Sequence, residues 1–334
     1  MRRAFVPGLL WLLFLWGVAQ IVSADTVIRR HSSITAARED EPQAAEAITP
    51  STLINTAGWT DSPFMTPDGQ QLYFMYTPYN FFPWILGTGD PERRGPERPG
   101  HHTNPDSNPW GDSDIYVSER QPDGTWSAPV NLPFNDDGAD ACGMLRSDGG
   151  AFYWQKGQGS ADLFVAYKAE DGTWADAIDL GAPINLPDSH EVNPHISADD
   201  NTLWFSSDRA GGYGAMDIYV STRQPDGAWG EPVNLGPEIN GEGGDDQIWV
   251  SEDGQTAYFN RDMAIFSMQR EGEGWSTPEP IVFENGVFMA AEVSFTADGQ
   301  TMIVAVPDVT TERLLIMESH LLPDGQWSAP QPVD

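Results

Sequence analysis

The chain has 334 residues, and its 13 Trp, 15 Phe and 9 Tyr supply ample core for one sizeable domain, since each large aromatic buries roughly 150–250 Å². Fifty acidic residues against 17 Lys and Arg leave a net charge of −33. That field opposes nucleic acid and anionic membrane surfaces, and suits cations, basic or neutral partners, or simply an acid-rich surface in an external or saline medium. A single cysteine, Cys142, excludes an internal disulfide.

The chain opens with "MRRAFVPGLLWLLFLWGVAQIVSA": a basic start, an apolar stretch and a small-residue end. It reads as a secretory signal over residues 1–24, cleaved after Ala24; at about 20 residues the apolar stretch is also long enough to serve as an uncleaved anchor. Either way the expected location is extracytoplasmic, periplasmic or secreted. Residues 25–50 lack periodicity and read as a flexible tether.

From residue 51 to 334 the chain repeats itself. A tryptophan follows a Gly-containing turn at Trp126, Trp174, Trp229, Trp275 and Trp327, with spacings of 48, 55, 46 and 52. A second motif, seen as "TPDGQQLYF" at Thr66 and "SEDGQTAYF" at Ser251, recurs in phase with it. Asp-Gly between alternating β-rich runs is a strong hairpin signal, because Gly accepts the positive φ of such turns. Each unit therefore reads as four antiparallel strands, A to D, and four strands every 40–50 residues is the arithmetic of a propeller blade. The expected fold is an all-β propeller of five four-stranded antiparallel blades, at about 57–135, 136–187, 188–241, 242–287 and 288–334, with six blades as the alternative.

The third unit, "ISADDNTLWFSSDRAGGYGAMDIYVSTRQPDGAWGEPVNLGPEIN", resembles the TolB-like (WD40-like) β-propeller repeat of bacterial envelope proteins. The first two units follow the pattern well; the fourth lacks the Asp before its third strand ("MAIFSM") and the fifth reads "RLLIMES". The resemblance implies a propeller of the cell envelope and leaves the chemistry open. The front segment "STLINTAGWTDSPF" aligns with "GPEINGEGGDDQI", pairing Asn55 with Asn240 and Asp61 with Asp246. This predicts a closed ring that borrows no strand from residues 25–50.

In such a meander the A–B and C–D turns share one face and the B–C and D–A loops the other. Variation concentrates on the loop face, which is where a ligand is expected. The B–C loop of the first unit, Thr77–Asp112, is aromatic in its first half (Tyr79, Phe81, Phe82, Trp84) and polar in its second, with His101 and His102. It reads as a lid or sugar-stacking platform, or equally as a flap over apolar blade edges. An acid lies just upstream of each A–B turn: Asp61, Asp140, Glu191, Asp245 with Asp246, and Glu292. A ring of these could bind a hard cation or divide the roles of glycoside hydrolysis, with Asp61, Glu191 and Asp246 as catalytic candidates; equally, they could hydrogen-bond between blades.

His190, Glu191 and His195 ("SHEVNPHIS") do not match the helical zinc spacing, and on a regular strand the histidines would face opposite sides. They are weak candidates for a metal. Arg209, in the Gly-rich "SSDRAGGYGAMD", completes the candidate ligand-binding set. No cofactor is called for beyond a divalent cation that such carboxylates could recruit, and a monomer is expected. Two readings follow: a binding or scaffold module for an envelope protein or extracellular glycan, and a carbohydrate-active enzyme, either glycoside hydrolase or metal-assisted lyase, working through the acids at the channel mouth.

Overall fold

The computed structural model describes residues 53–104, 108–157, 160–286 and 289–333. The expected leader (1–24) and tether (25–50) lie outside the described residues. Among those described, no helix is long and apolar enough to cross a membrane.

Five blade sheets follow one another along the chain, each an antiparallel meander, and a small two-stranded sheet, Tyr79–Asn80 with Glu92–Arg93, lies within the blade-one loop. In blade three the inner strand A, Glu191–Ile196, pairs with B, Thr202–Ser207, then C, Asp217–Thr222, and a short outer D, Val233–Asn234. The inner strands of the other blades are Trp59–Met65, Ala139–Leu145, Asp245–Val250 and Ala291–Phe295. The five-bladed expectation holds, with the outer strand of blade four split into Gly274–Trp275 and Glu279–Pro280.

The turn chemistry repeats as the motifs require. Thr66 Oγ1 donates to Asp68 at 2.7 Å and Asp68 accepts the Gln70 N–H, with Gly69 at φ 71°. In blade three Asp200 stands where the others have Gly and takes φ 61°. It also collects Tyr153 Oη (2.6 Å), Arg223 and Arg146, pinning blade two to blade three. Strand C of blade four opens on Ala264, where blades one to three have Asp, and it has no loop to tie. Asp262 and Met263, at φ 49° and 62°, form a two-residue hairpin between Arg261 and Ala264. In blades one and three that Asp has work to do: Asp114 accepts the His102 N–H, and Asp217 those of Tyr213 and Gly214.

Neighbouring blades are joined by aromatic packing and by a recurring backbone bond. The N–H at the entrance of each following strand A donates to the loop before the preceding strand C: Asp140 to Ser113, Glu191 to Ala161, Asp245 to Met216 and Ala290 to Met263, at 2.9–3.0 Å. In the D–A loops after blades one, two and three an Asn side chain clamps strand C, as Asn240 does by bonding both backbone groups of Ile218. Asn55 takes the matching place against blade five and closes the ring.

The tryptophan ruler is structural. Trp126, Trp229 and Trp327 are buried, and a cation lies over four of the five rings: Arg120, Lys168, Arg223 and Arg270, at 4.2–5.3 Å.

Candidate functional site

The loop face is built around the blade-one insertion. Its chain turns through the short helix Phe82–Ile85 and packs Phe81, Phe82 and Ile85, all buried, against Trp59, Ala141, Met263, Ala291 and Leu314. Phe81 lies edge-on to Trp59 at 5.5 Å, and half-buried Trp84 lies edge-on to Trp110 at 5.1 Å. Of the two roles expected for this loop, the packing is that of a plug over the inner-strand entrances of blades one, two and five.

The polar half is fastened by His101, whose Nε2 lies 3.4 Å from Asp112 and Nδ1 3.3 Å from Asp114. Burial alone would depress this imidazole, but the two carboxylates outweigh it and hold it up to about 9. His102 donates its N–H to Asp114 and leaves its ring half exposed.

The inner strands carry a feature not read from sequence. Each is bulged, and at each bulge a non-glycine residue sits in the left-handed region: Ser62, Cys142, Asn193, Gln247 and Glu292, at φ 42–53°. Bulges re-aim side chains and cluster near functional sites. These five equivalent positions line a small axial recess.

The bulges also sort the acids, which fall at three different register positions. Asp140, Glu191 and Asp245, two residues before the bulge, turn away from the axis. Asp140 accepts from Trp154 Nε1 and Asp136 N, and burial lifts it to about 7. Glu191 accepts from Ser189, Ser207, Leu186 N and Arg209, and Arg261 lies 2.6 Å from Asp245. These three carboxylates tie the entrance loops and strands of their own blades together and, among the described residues, do not bond between blades.

Asp61, Asp246 and Glu292 converge at the axis. Glu292 accepts the Ser62 N–H at 2.6 Å, Cys142 Sγ lies 3.7 Å from its Oε1, and Ser62 Oγ lies 3.0 Å from that sulfur. Asp246 accepts from Asn193 Nδ2 (2.7 Å) and Gln247 N. Burial, then the charges of Asp61 and Asp246, push the Glu292 carboxyl well above its usual range, and burial beside Glu292 pushes the Cys142 thiol up likewise.

The two histidines do not meet. His190 Nδ1 lies 2.9 Å from Asp208 on the loop side, whereas His195, beyond the bulge, faces Val250 of blade four, with Nε2 3.0 Å from its carbonyl oxygen and 3.1 Å from its nitrogen. Burial pulls His195 down to about 4, so it is neutral at ordinary pH. Arg209 is spent on Glu191 and the Ile184 carbonyl, stacked over Phe205 and Tyr219. Among the described residues no three of His, Cys, Asp and Glu are arranged to hold a metal ion.

A wider recess opens instead on the turn face. Phe64, Met144, Trp204, Trp249 and Phe295 wall it, with Ser147, Ser197 and Glu252 towards the rim. It shares Phe64, Met144, His195 and Trp249 with the inner polar recess, so the axis is layered from apolar mouth to acidic floor. The repetitive turns hide this mouth in the sequence, because its lining mixes single strand residues with turn residues such as Pro67, Ser197, Ser251 and Ala297.

No protein-family model matches the chain, and no curated protein matches it. Solved structures do. An α-L-arabinofuranosidase from Lactobacillus brevis superposes with a TM-score of 0.52 at 12% identity, over 85% of this chain and 98% of that one. TolB from Acinetobacter baumannii gives 0.44 at 13%, over 83% of this chain and 57% of that one. An α-L-arabinanase of Penicillium chrysogenum, complexed with arabinobiose, gives 0.46 at 14%, over 85% and 84%. At such identities the likeness is one of fold.

Proposed function

We propose that the chain is a binding propeller of the bacterial cell envelope that takes a segment of an envelope partner into the axial recess of its turn face. The observation that carries this is the layering of the axis: an aromatic mouth leads to buried polar groups. Concave sites that are apolar with a few convergent polar groups are the usual form of a ligand site. The TolB-like repeat and the expected leader support the envelope setting. The enzyme reading draws less from the geometry: Glu191 is engaged by Arg209, and the aromatic loop that would stack a sugar is packed into a plug.

The test is a peptide-binding titration followed by tryptophan fluorescence, on wild type and on Trp249→Ala and Trp84→Ala. Loss of binding in Trp249→Ala alone is expected. Loss in Trp84→Ala, with Trp249→Ala unaffected, would move the site to the loop face and overturn the reading.

A further inference from the structure

We propose that the axial recess is built for a primary alkylammonium group, such as a lysine side chain offered by the partner, its stem held by Phe64, Met144 and Trp249 and its head by Asn193 Oδ1 and Glu292. The inference rests on the turn-face reading above and adds the chemistry of the head group.

The first observation is an acceptor without a donor. Asn193 is only 6% exposed and lines the inner recess, yet its Oδ1 has no hydrogen-bond partner. Its orientation is fixed chemically: the amide nitrogen must face the Asp246 carboxylate, 2.7 Å away, so the oxygen is the atom left over. A buried polar atom left unpaired is costly, so one in a native interior calls for an explanation. A ligand donor supplies one.

The second observation is charge. Asp61, Asp246 and Glu292 meet at the axis, whereas Arg209 and Arg261, the guanidinium groups on the adjoining strands, are committed to Glu191 and Asp245 outside it. The floor therefore lacks a cation of its own. A metal ion fits poorly, because no three candidate ligands are arranged around a point among the described residues. An ammonium group needs only acceptors, and its three donors suit Asn193 Oδ1, Glu292 and the softer Cys142 sulfur. The stem completes the match: between the floor and solvent the walls are apolar, which a bare inorganic cation would not use and an alkyl chain would.

Binding then moves a proton. Glu292 faces Asp61, Asp246 and Cys142 and holds its proton well above the usual carboxylate range. An entering ammonium favours the ionised form, so up to one proton leaves to solvent for each cation bound. Affinity should therefore rise with pH.

The experiment is calorimetric titration of the whole chain with hexylammonium, hexan-1-ol, calcium and amide-capped lysine, at pH 5.5 and 8.0, in buffers of different ionisation heat. Hexylammonium should bind one-to-one, at least about tenfold more tightly than hexanol, more tightly at pH 8.0 than at 5.5, and with proton release. Capped lysine matching it points to a protein side chain as the source; capped lysine failing where hexylammonium binds points to a small amine. Glu292→Gln should keep hexanol binding but lose the preference and the proton release. Asn193→Gly, which suits the left-handed backbone there, should lose the preference while folding normally. If hexanol binds as well as hexylammonium and Trp249→Ala abolishes both, the recess reading stands and the ammonium assignment falls. If neither binds, both fall. Calcium displacing hexylammonium would replace the assignment with a metal site.

Discussion

Asn55 grips the backbone of Ile316, 261 residues further along the chain: its Nδ2 donates to the Ile316 carbonyl at 2.9 Å and its Oδ1 accepts the Ile316 N–H at 2.7 Å. The same two-handed bond joins Asn135 to Ile115, Asn185 to Leu163 and Asn240 to Ile218. Elsewhere it locks a D–A loop onto its own blade; at Asn55 it locks the front of the chain onto its last blade. Ring closure is thus an ordinary repeat bond made across the seam, helped by Met65 N donating to Ser294 and by Arg120 pairing with Glu318 at 2.7 Å.

Asn55→Ala should therefore destabilise by about 2–4 kcal/mol, since it leaves two buried backbone groups without partners. Urea unfolding, with Asn240→Ala as the within-chain counterpart, checks it. A loss below about 0.5 kcal/mol would mean that the seam is held by something else.

Trp229 is buried, and Arg223 lies over its ring at 4.2 Å. Trp229→Ala should cost about 3–5 kcal/mol, as large aromatic truncations in cores do. Arg223→Gln should cost less, about 1 kcal/mol, unless its bonds to Asp200 and Tyr153 matter more than the ring. Thermal denaturation of the two variants and their double mutant separates these contributions.

His101 makes stability depend on pH with a definite sign. Its folded value, about 9, lies above the ordinary imidazole value of 6.5. The stabilisation is complete below pH 6.5 and is lost as pH rises towards 9 and the imidazolium between Asp112 and Asp114 gives up its proton. His101→Gln should flatten the fall in melting temperature across that window. An unchanged slope would show that the loop is fastened without this charge.

Glu292 has the same sign for a different reason. Its pKa is raised by burial and by Asp61 and Asp246, so it supports folding while protonated and detracts as pH climbs above the usual carboxylate range. Glu292→Gln keeps the shape and removes the titration, so its melting temperature should exceed that of wild type at pH 8 and match it near pH 4.5. A variant less stable at both values would show the acid to be a structural partner.

Blade number, the turn chemistry and the closure through Asn55 were all legible in the sequence, because each is written in a local motif that repeats. The axis was not. A bulge leaves no sequence mark when its left-handed residue is Ser, Cys, Asn, Gln or Glu instead of Gly. Without the bulges, acids at three different register positions read as one ring, and Asp140, Glu191 and Asp245 joined Asp61, Asp246 and Glu292. The turn-face mouth was hidden for a related reason: no motif marks Phe64, Met144 or Trp249, which line it from the inner strands. The aromatic loop was recognised as exceptional, but only its packing on Trp59 and Ala141 shows that it fills the other mouth.

The five left-handed positions at the axis share one backbone conformation and no two share a side chain. Elsewhere the repeat spells the same letters in blade after blade; at this ring it spells five different ones. Symmetry here belongs to the frame and identity to the centre. Transplanting a whole blade would therefore preserve the wheel while changing one character in the word written at its hub, so binding preference in such a protein can be rewritten a fifth at a time without redesigning the fold.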